Sequence, residues 1–303
     1  MMAEFVQLSL VPMVIGALAA LACALPGNFL LLRRQALIGD AISHVVLPGI
    51  VIAFLVTGSM AATPMLIGAA AAALVSVAMI EAIRRLGRVE AGAAMGVTFT
   101  ALFAAGVLLL EQSNTAGVHL DVEHALYGNL ESLVWFDAIG WGSLIDPSAL
   151  AGLPPELWRM ALAAAAVALA LRLTWRPLAM ATFDEGFARS VGVPVRVLGV
   201  GLVVSAAVAA VAAFDAVGSI IVIAMFIAPP ATARLLTDDL RQQVGLSALF
   251  AVAAALLGYV LAGYGPLWLG GTHSVSAAGM IATVSGLFLG LAAAFGPRRR
   301  RAG

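Results

Sequence analysis

The sequence contains no lysine: all 16 of its basic residues are arginine, and they are matched by 16 acids. Charge of either sign is scarce, at 11% of residues, while 62% are hydrophobic and the mean hydropathy is +1.06, far outside the range of a soluble domain. A net charge of zero points to no nucleic-acid partner. The single cysteine, Cys23, lies in an apolar run without a disulfide partner, and the lack of thiolates argues against a copper(I) or cysteine-rich zinc site. No Gly-x-x-x-x-Gly-Lys-Ser/Thr loop is present, so the chain does not hydrolyse ATP by that route, and no His-Glu-x-x-His pair marks a metallohydrolase. The start of the chain lacks the basic region and cleavage site of a secretory signal, so the first apolar segment is expected to be retained.

Apolar length dominates what is present. Leu10 to Leu32 is uncharged and long enough to cross the roughly 30 Å hydrocarbon core as a helix. Further spans are expected over 35–56, 64–83, 91–110, 157–175, 197–214 and 216–233. The last two are separated by little more than Asp215, which implies a tight outer connection or a kink. A run from Gln242 to Pro297 without Asp, Glu or Arg is expected to form two more, split by Gly263-Tyr264-Gly265-Pro266 and Gly270-Gly271. The reading is an all-α polytopic membrane protein of about nine transmembrane helices, with eight to ten possible, in one transmembrane domain over residues 1–303. Arg33-Arg34, Arg84-Arg85-Arg88, the arginines between 172 and 196, and Arg298 to Arg301 then all fall on the cytoplasmic side by the positive-inside rule, with the N-terminus outside. Gly92 and Gly96, in small-xxx-small spacing, predict close helix packing.

Two connections are distinctive. Between Glu111 and Glu156 lie seven acids, two histidines and no basic residue, which places this long segment on the outer face. Its His119, Asp121, Glu123 and His124 form a cation-steering rim, and the stretch from Ala125 to Ile145 reads as amphipathic enough to lie along the membrane surface. On the inner side, residues 176–196 form the most polar loop. There Phe183 and Phe187, four apart, read as an apolar pair on a short helix between charged neighbours.

The chemistry concentrates in Gly39-Asp40-Ala41-Ile42-Ser43-His44-Val45-Val46-Leu47-Pro48-Gly49. On a helix Asp40 and His44 stack on one face and can converge on one small ligand. An Asp deep in a span costs about 2.5–3.5 kcal/mol, so its presence there points to function. The plainer reading is that Asp40, only about 8 Å into the span at the helical rise, caps backbone near the headgroups. An imidazole and a carboxylate suit a divalent first-row metal ion, but two ligands on one helix are too few to hold it. His273, at the outer start of the last span, is a further candidate ligand, against helix capping or a solvated histidine. Asp215 is another, against capping the following helix.

Three stretches together resemble the permease subunits of the manganese, zinc and iron(II) importers of the ATP-binding-cassette class. They are Arg33 to His44 with Leu47-Pro48-Gly49; Phe183-Asp184-Glu185-Gly186-Phe187-Ala188-Arg189 through Gly192-Val193-Pro194; and Ala216-Val217-Gly218 with Ala228-Pro229-Pro230-Ala231-Thr232-Ala233-Arg234. His119-Leu120-Asp121 with Leu126-Tyr127-Gly128 is similar to the longer-looped members linked to manganese or iron. The resemblance covers essentially the whole chain and implies the importer-permease fold. It implies a multi-pass subunit of the bacterial cytoplasmic membrane, surrounded by lipid and paired with a second permease copy, identical or related. Two cytoplasmic ATPase subunits and an extracytoplasmic metal-binding protein complete the implied assembly. ATP is hydrolysed in the partner subunits, no cofactor is bound permanently, and the metal ion is the cargo. The second stretch is where such permeases carry the helix that couples to the ATPase, which assigns that role to Phe183, Asp184, Glu185, Phe187, Ala188, Arg189 and Gly192. The competing readings are a proton-coupled secondary metal transporter, with Asp40 and His44 relaying protons, and a membrane metallohydrolase using the same pair and a bound water.

Overall fold

In the computed structural model the described residues are 2–36, 38–59, 62–112, 128, 130–268, 270 and 273–297, and among them there is no strand. The main helices are α1 (Val11–Leu32), α2 (Ile38–Thr57), α3 (Ala62–Leu86), α4 (Ala91–Gln112), α5 (Pro155–Leu173), α6 (Trp175–Phe183), α7 (Glu185–Ser190), α8 (Val195–Leu236), α9 (Leu240–Trp268) and α10 (Ala277–Phe295). Alanine- and leucine-rich runs favour helix intrinsically, and in hydrocarbon a helix alone satisfies each backbone polar group within its own segment. Seven helical spans are long and apolar enough to cross a membrane, or eight if α5 and α6, bent by 70° at Thr174, form one. The 20-residue α2 has spanning length as well. Without α2 the spans number seven or eight, slightly below the expected nine, and with it they reach that number.

Both ends of the bundle agree with the charge pattern. Arg33, Arg84, Arg85, Arg189 and Arg196, from four separate turns and helix ends, line one cavity. At the opposite end Gln7 and the outer segment join: the Trp135 amide donates to the Gln7 carbonyl (2.9 Å) and Gln7 Nε2 to the Phe136 carbonyl (3.0 Å). From Leu130 to Ile145 the outer segment is no single continuous helix. From Leu130 onward it makes 3₁₀ turns at Leu130–Ser132 and Trp141–Leu144 and a short helix, Pro147–Ala151. It is instead folded around Trp135, which is fully buried and donates Nε1 to the Ala149 carbonyl at 2.8 Å. Asp146 caps the short helix, and bonds from the Ser148 hydroxyl and amide hold its carboxyl below the ordinary value. The cap's contribution is therefore present above the usual aspartate pKa and is lost as pH falls through the lowered one.

Helices α1 and the second half of α8 form the interior, whereas α3 and α4 turn most of their residues outward, with Ile67, Leu74, Val75 and Val97 exposed as a lipid-facing surface requires. Proline organises the central contact. Pro230 has no N–H to offer the Phe226 carbonyl one turn back, and a Cβ on Gly27 of α1 would overlap that freed oxygen. Only glycine lets the helices meet there. A second polar tie joins α1 to α9: buried Asn28 accepts from Gln243 Nε2 (3.2 Å) and donates to the Ala24 carbonyl (2.7 Å). Such interhelical bonds contribute about 0.6–1.7 kcal/mol in a membrane.

Small residues do pack helices, but not all those expected. Gly92 and Gly96 face open space; Gly106 makes the close approach from α4, where a Cβ would stand 2.7 Å from Pro48 Cβ. Gly49 and Gly68 face each other across α2 and α3, each lacking room for a side chain against the other's carbonyl oxygen. Nor does Gly263 to Pro266 divide the last apolar run: α9 continues through Pro266 to Trp268, because the Ala262 carbonyl that Pro266 cannot serve accepts instead from the Val275 amide at 3.1 Å, and the break comes at Gly270 (φ 83°). Gly68→Leu is expected to cost about 1–3 kcal/mol by overpacking, and Gly92→Leu less than about 0.5 kcal/mol. Thermal unfolding of both variants in detergent checks this, and equal losses would contradict the packing.

Candidate metal site and docking helix

The turn that delivers α2 is built by Arg33 and Arg34. The Arg33 amide bonds the Phe29 carbonyl (3.0 Å), Arg34 takes a left-handed conformation (φ 56°), and the Gln35 amide returns to the Leu30 carbonyl (2.8 Å). α2 then carries Asp40 and His44 one turn apart in an unbroken helix. The side chains of Asp40, His44 and Asp215 lie outside those described, but their surroundings do not. Ala41 and Val45 beside the pair are buried, as are Pro48 and Gly49. A Cβ on Gly39 would stand 2.5 Å from Phe226 Cδ2, so the α8 phenyl ring rests on the backbone immediately before Asp40. The motif helix therefore has Phe226 against its first turn and Gly106 and Gly68 against Pro48 and Gly49, while its last turns expose Ile52, Leu55 and Val56.

The other candidate ligands stand elsewhere. The expected pair of spans around Asp215 is present as the two halves of α8, 195–214 and 216–236, which meet at a tight break at Gly218 (φ 76°, ψ 173°). Phe226 marks the level of Gly39, and the eight residues of helix from Gly218 to Phe226 already amount to about 12 Å, so Asp215 and Asp40 lie at different depths. His273 is exposed just before α10, at the end where the Glu131 carboxylate accepts from the Ala277 amide at 2.7 Å. Among the described residues no cluster of three or more His, Cys, Asp or Glu side chains forms. His119, Asp121, Glu123 and His124 lie outside the described residues.

Gly128 seats the outer segment on the α8 break. It has positive φ (70°), and a Cβ would overlap the backbone of Val217 and Gly218. Two glycine backbones therefore meet where a helix is interrupted three residues after Asp215.

At the arginine-rich end, Phe183 and Phe187 do not share a helix. Phe183 ends α6, Asp184 is extended (φ −145°), and Phe187 lies in α7. The break is stabilised by Asp184, whose carboxylate accepts from the Phe187 amide at 2.8 Å, an N-cap of the usual kind. Both phenyl rings remain exposed, at 61% and 53%, while Ala188 is fully buried and pins α7 to the bundle. Gly192 (φ 82°) turns the chain into α8. Glu185 binds Arg189 (2.8 Å) and Arg33 (3.2 Å), so α7 is tied to the turn that begins the motif helix. Sequence reasoning did not reach the Arg33–Glu185, Glu131–Ala277 or Gly39–Phe226 contacts: the partners are separated by well over a hundred residues, and no local pattern pairs them.

An apolar helical bundle with its arginines gathered at one end, an aromatic pair exposed beside them and an acid–imidazole pair on one of its helices is that of a polytopic membrane protein. The sequence matches the profile of the ABC 3 transport family over residues 3–140 and 148–295, and the chain belongs to that family. It is a multi-pass subunit of the bacterial cytoplasmic membrane. It is 39% identical over 282 residues to the manganese transport system membrane protein MntD of Bacillus subtilis, covering 93% of this chain and 90% of that one. It is 36% identical over 285 residues to the zinc transport system membrane protein TroD of Treponema pallidum, covering 94% and 73%. The solved structure described as PsaBC from Streptococcus pneumoniae in complex with Fab matches with a TM-score of 0.75 at 26% identity, covering 95% of this chain and 92% of that one.

Gly128→Ala is expected to destabilise the outer segment by more than about 1–2 kcal/mol, because the left-handed conformation disfavours a Cβ and the Cβ meets backbone. A lower Tm and faster proteolysis within residues 111–156 are the measurements, and wild-type resistance would contradict the seating.

Proposed function

We propose that this chain is the permease subunit of an ATP-driven importer that moves a divalent transition-metal ion, manganese or zinc, into the cell by alternating access. The observation that carries the reading is the linkage of two features. The exposed Phe183–Phe187 knob is joined through Glu185 and Arg33 to the turn that starts the Asp40–His44 helix. A knob docked in a cleft of an ATPase subunit, with Asp184, Glu185, Ala188, Arg189 and Gly192 shaping it, would pull on α2 when that subunit moves. The manganese and zinc in the names of the relatives agree with what a carboxylate and an imidazole select.

In this reading Asp40 and His44 are the way-station for the ion, close enough to the cytoplasm for release and too few to trap it. His273 and Asp215, nearer the outer end, serve as entry ligands, and the rim from His119 to His124 attracts the cation. A second permease copy completes the pathway, two ATPase subunits drive it, an extracytoplasmic protein delivers the ion, and the whole chain acts as a single permease domain. Membership of an ABC transport family favours this over a proton-coupled carrier.

Asp40→Asn and His44→Ala are each expected to abolish metal uptake in cells without reducing the amount of protein in the membrane, since removing an intramembrane charge eases insertion. Normal radiolabelled manganese and zinc uptake by both would refute the site. Phe183→Ala with Phe187→Ala is expected to lose co-purification of the ATPase subunit encoded with this chain while Asp40→Asn keeps it; retention by the double alanine variant would refute the docking role.

A further inference from the structure

At the arginine-rich end a cavity of about 380 Å³ opens between the α1–α2 turn, the end of α3, α7 and the start of α8. Arg33, Arg84, Arg85, Arg189 and Arg196 line it, against only Glu81 and Glu185. Each carboxylate is already shared: Glu81 pairs with Arg84 (2.8 Å) and with Arg85, and Glu185 with Arg33 and Arg189. Five guanidiniums less two carboxylates leave a formal surplus of three positive charges. Arg196 is exposed and has no carboxylate partner among the described residues. Arg33 is the more telling case. Its side chain is only 9% exposed, and although Nη2 reaches Glu185, Nη1 is buried without a hydrogen-bond partner among the described residues. A buried charged donor left unpaired is costly, and an anion in the cavity relieves it.

The remaining wall decides what kind of anion. Ile38, Ile80, Met95 and Val203 line the same cavity, and Ile80 and Met95 are buried side chains of α3 and α4, helices whose other faces turn outward. A ligand that satisfies both surfaces has an oxyanion head and an apolar body. A metal dication, by contrast, is repelled by the surplus charge, so the cavity is no part of a cation path.

We propose that this cavity binds a phosphate group, taken by the guanidiniums of Arg33, Arg84 and Arg196, and that the phosphate is the headgroup of an anionic inner-leaflet phospholipid. Arginine forks match phosphate oxygens, and basic pockets between membrane helices on the cytoplasmic side take such headgroups. Because Arg33 belongs to the turn that begins α2 and Glu185 and Arg189 belong to α7, a bound phosphate stiffens the joint between the motif helix and the exposed aromatic knob. The inference stands on the cavity and does not depend on the metal reading.

The test uses the full-length protein in phosphatidylcholine nanodiscs doped with phosphatidylglycerol, with bound lipid counted by native mass spectrometry. Wild type is expected to retain phosphatidylglycerol over phosphatidylcholine, and the R84Q/R196Q variant to retain it roughly five-fold less per guanidinium removed. E81Q, which releases Arg84 and Arg85 from their carboxylate, is expected to retain more, a gain that a folding defect cannot mimic. A parallel arm titrates inorganic phosphate into discs without phosphatidylglycerol. Binding there with the same loss in R84Q/R196Q supports the phosphate site and assigns a soluble source. Equal phosphatidylglycerol retention by wild type and R84Q/R196Q, or no gain in E81Q, overturns the proposal. So does loss of the lipid on adding the ATPase subunit, which would make the cavity part of a subunit interface.

Discussion

The contact on which the rest of the structure depends is the meeting of three backbones at Phe226. Pro230 leaves the Phe226 carbonyl without a helical donor, Gly27 admits that oxygen against α1, and the phenyl ring lies on Gly39 at the head of α2. Water is absent in hydrocarbon and cannot drive helices together there, so association rests on close van der Waals approach and on polar groups finding one another. Glycine on two helices and a proline pair on the third provide both. The consequence is that the acid and imidazole of α2 sit in a helix whose position is set from the protein interior, with Gly49, Gly68 and Gly106 holding its far half.

The two ends of the bundle complete that arrangement differently. On the outer side, backbone meets backbone: Gly128 is seated on the interrupted turn at Gly218, and Glu131 accepts from the first amide of α10. A carboxylate at a helix N-terminus complements the partial positive charge of the unpaired amides. On the cytoplasmic side the ties are ionic, and Glu185 serves two arginines from different elements. Exposed pairs of this kind contribute little energy alone. The Arg33 partner, however, is nearly buried, and there geometry matters more than the count of charges.

These arrangements tie α7 to the turn that begins the motif helix although 145 residues separate Asp40 from Glu185 in the chain. Glu185 meets Arg33 at the head of the turn between α1 and α2, a tie that does not pass through the helical core. The same economy concentrates the arginines around one cavity, where orientation signals for insertion and a surface for an anion coincide.

Much was legible in the sequence by itself. Apolar runs of about twenty residues can only be helices in a bilayer, and arginine position alone orients them, because each cost is paid locally by the segment that carries it. The Asp40–His44 spacing and the polar character of 176–196 are local for the same reason. Tertiary structure alone decided which glycines matter: Gly92 and Gly96 have the spacing of a packing motif yet face open space, while Gly106 has no such signature and abuts Pro48. It also decided that Gly263 to Pro266 stays helical, that the outer segment folds around Trp135, and that Arg33 joins Glu185. Each depends on a partner distant in the chain, and a one-dimensional pattern holds periodicity but not the distance between two helices.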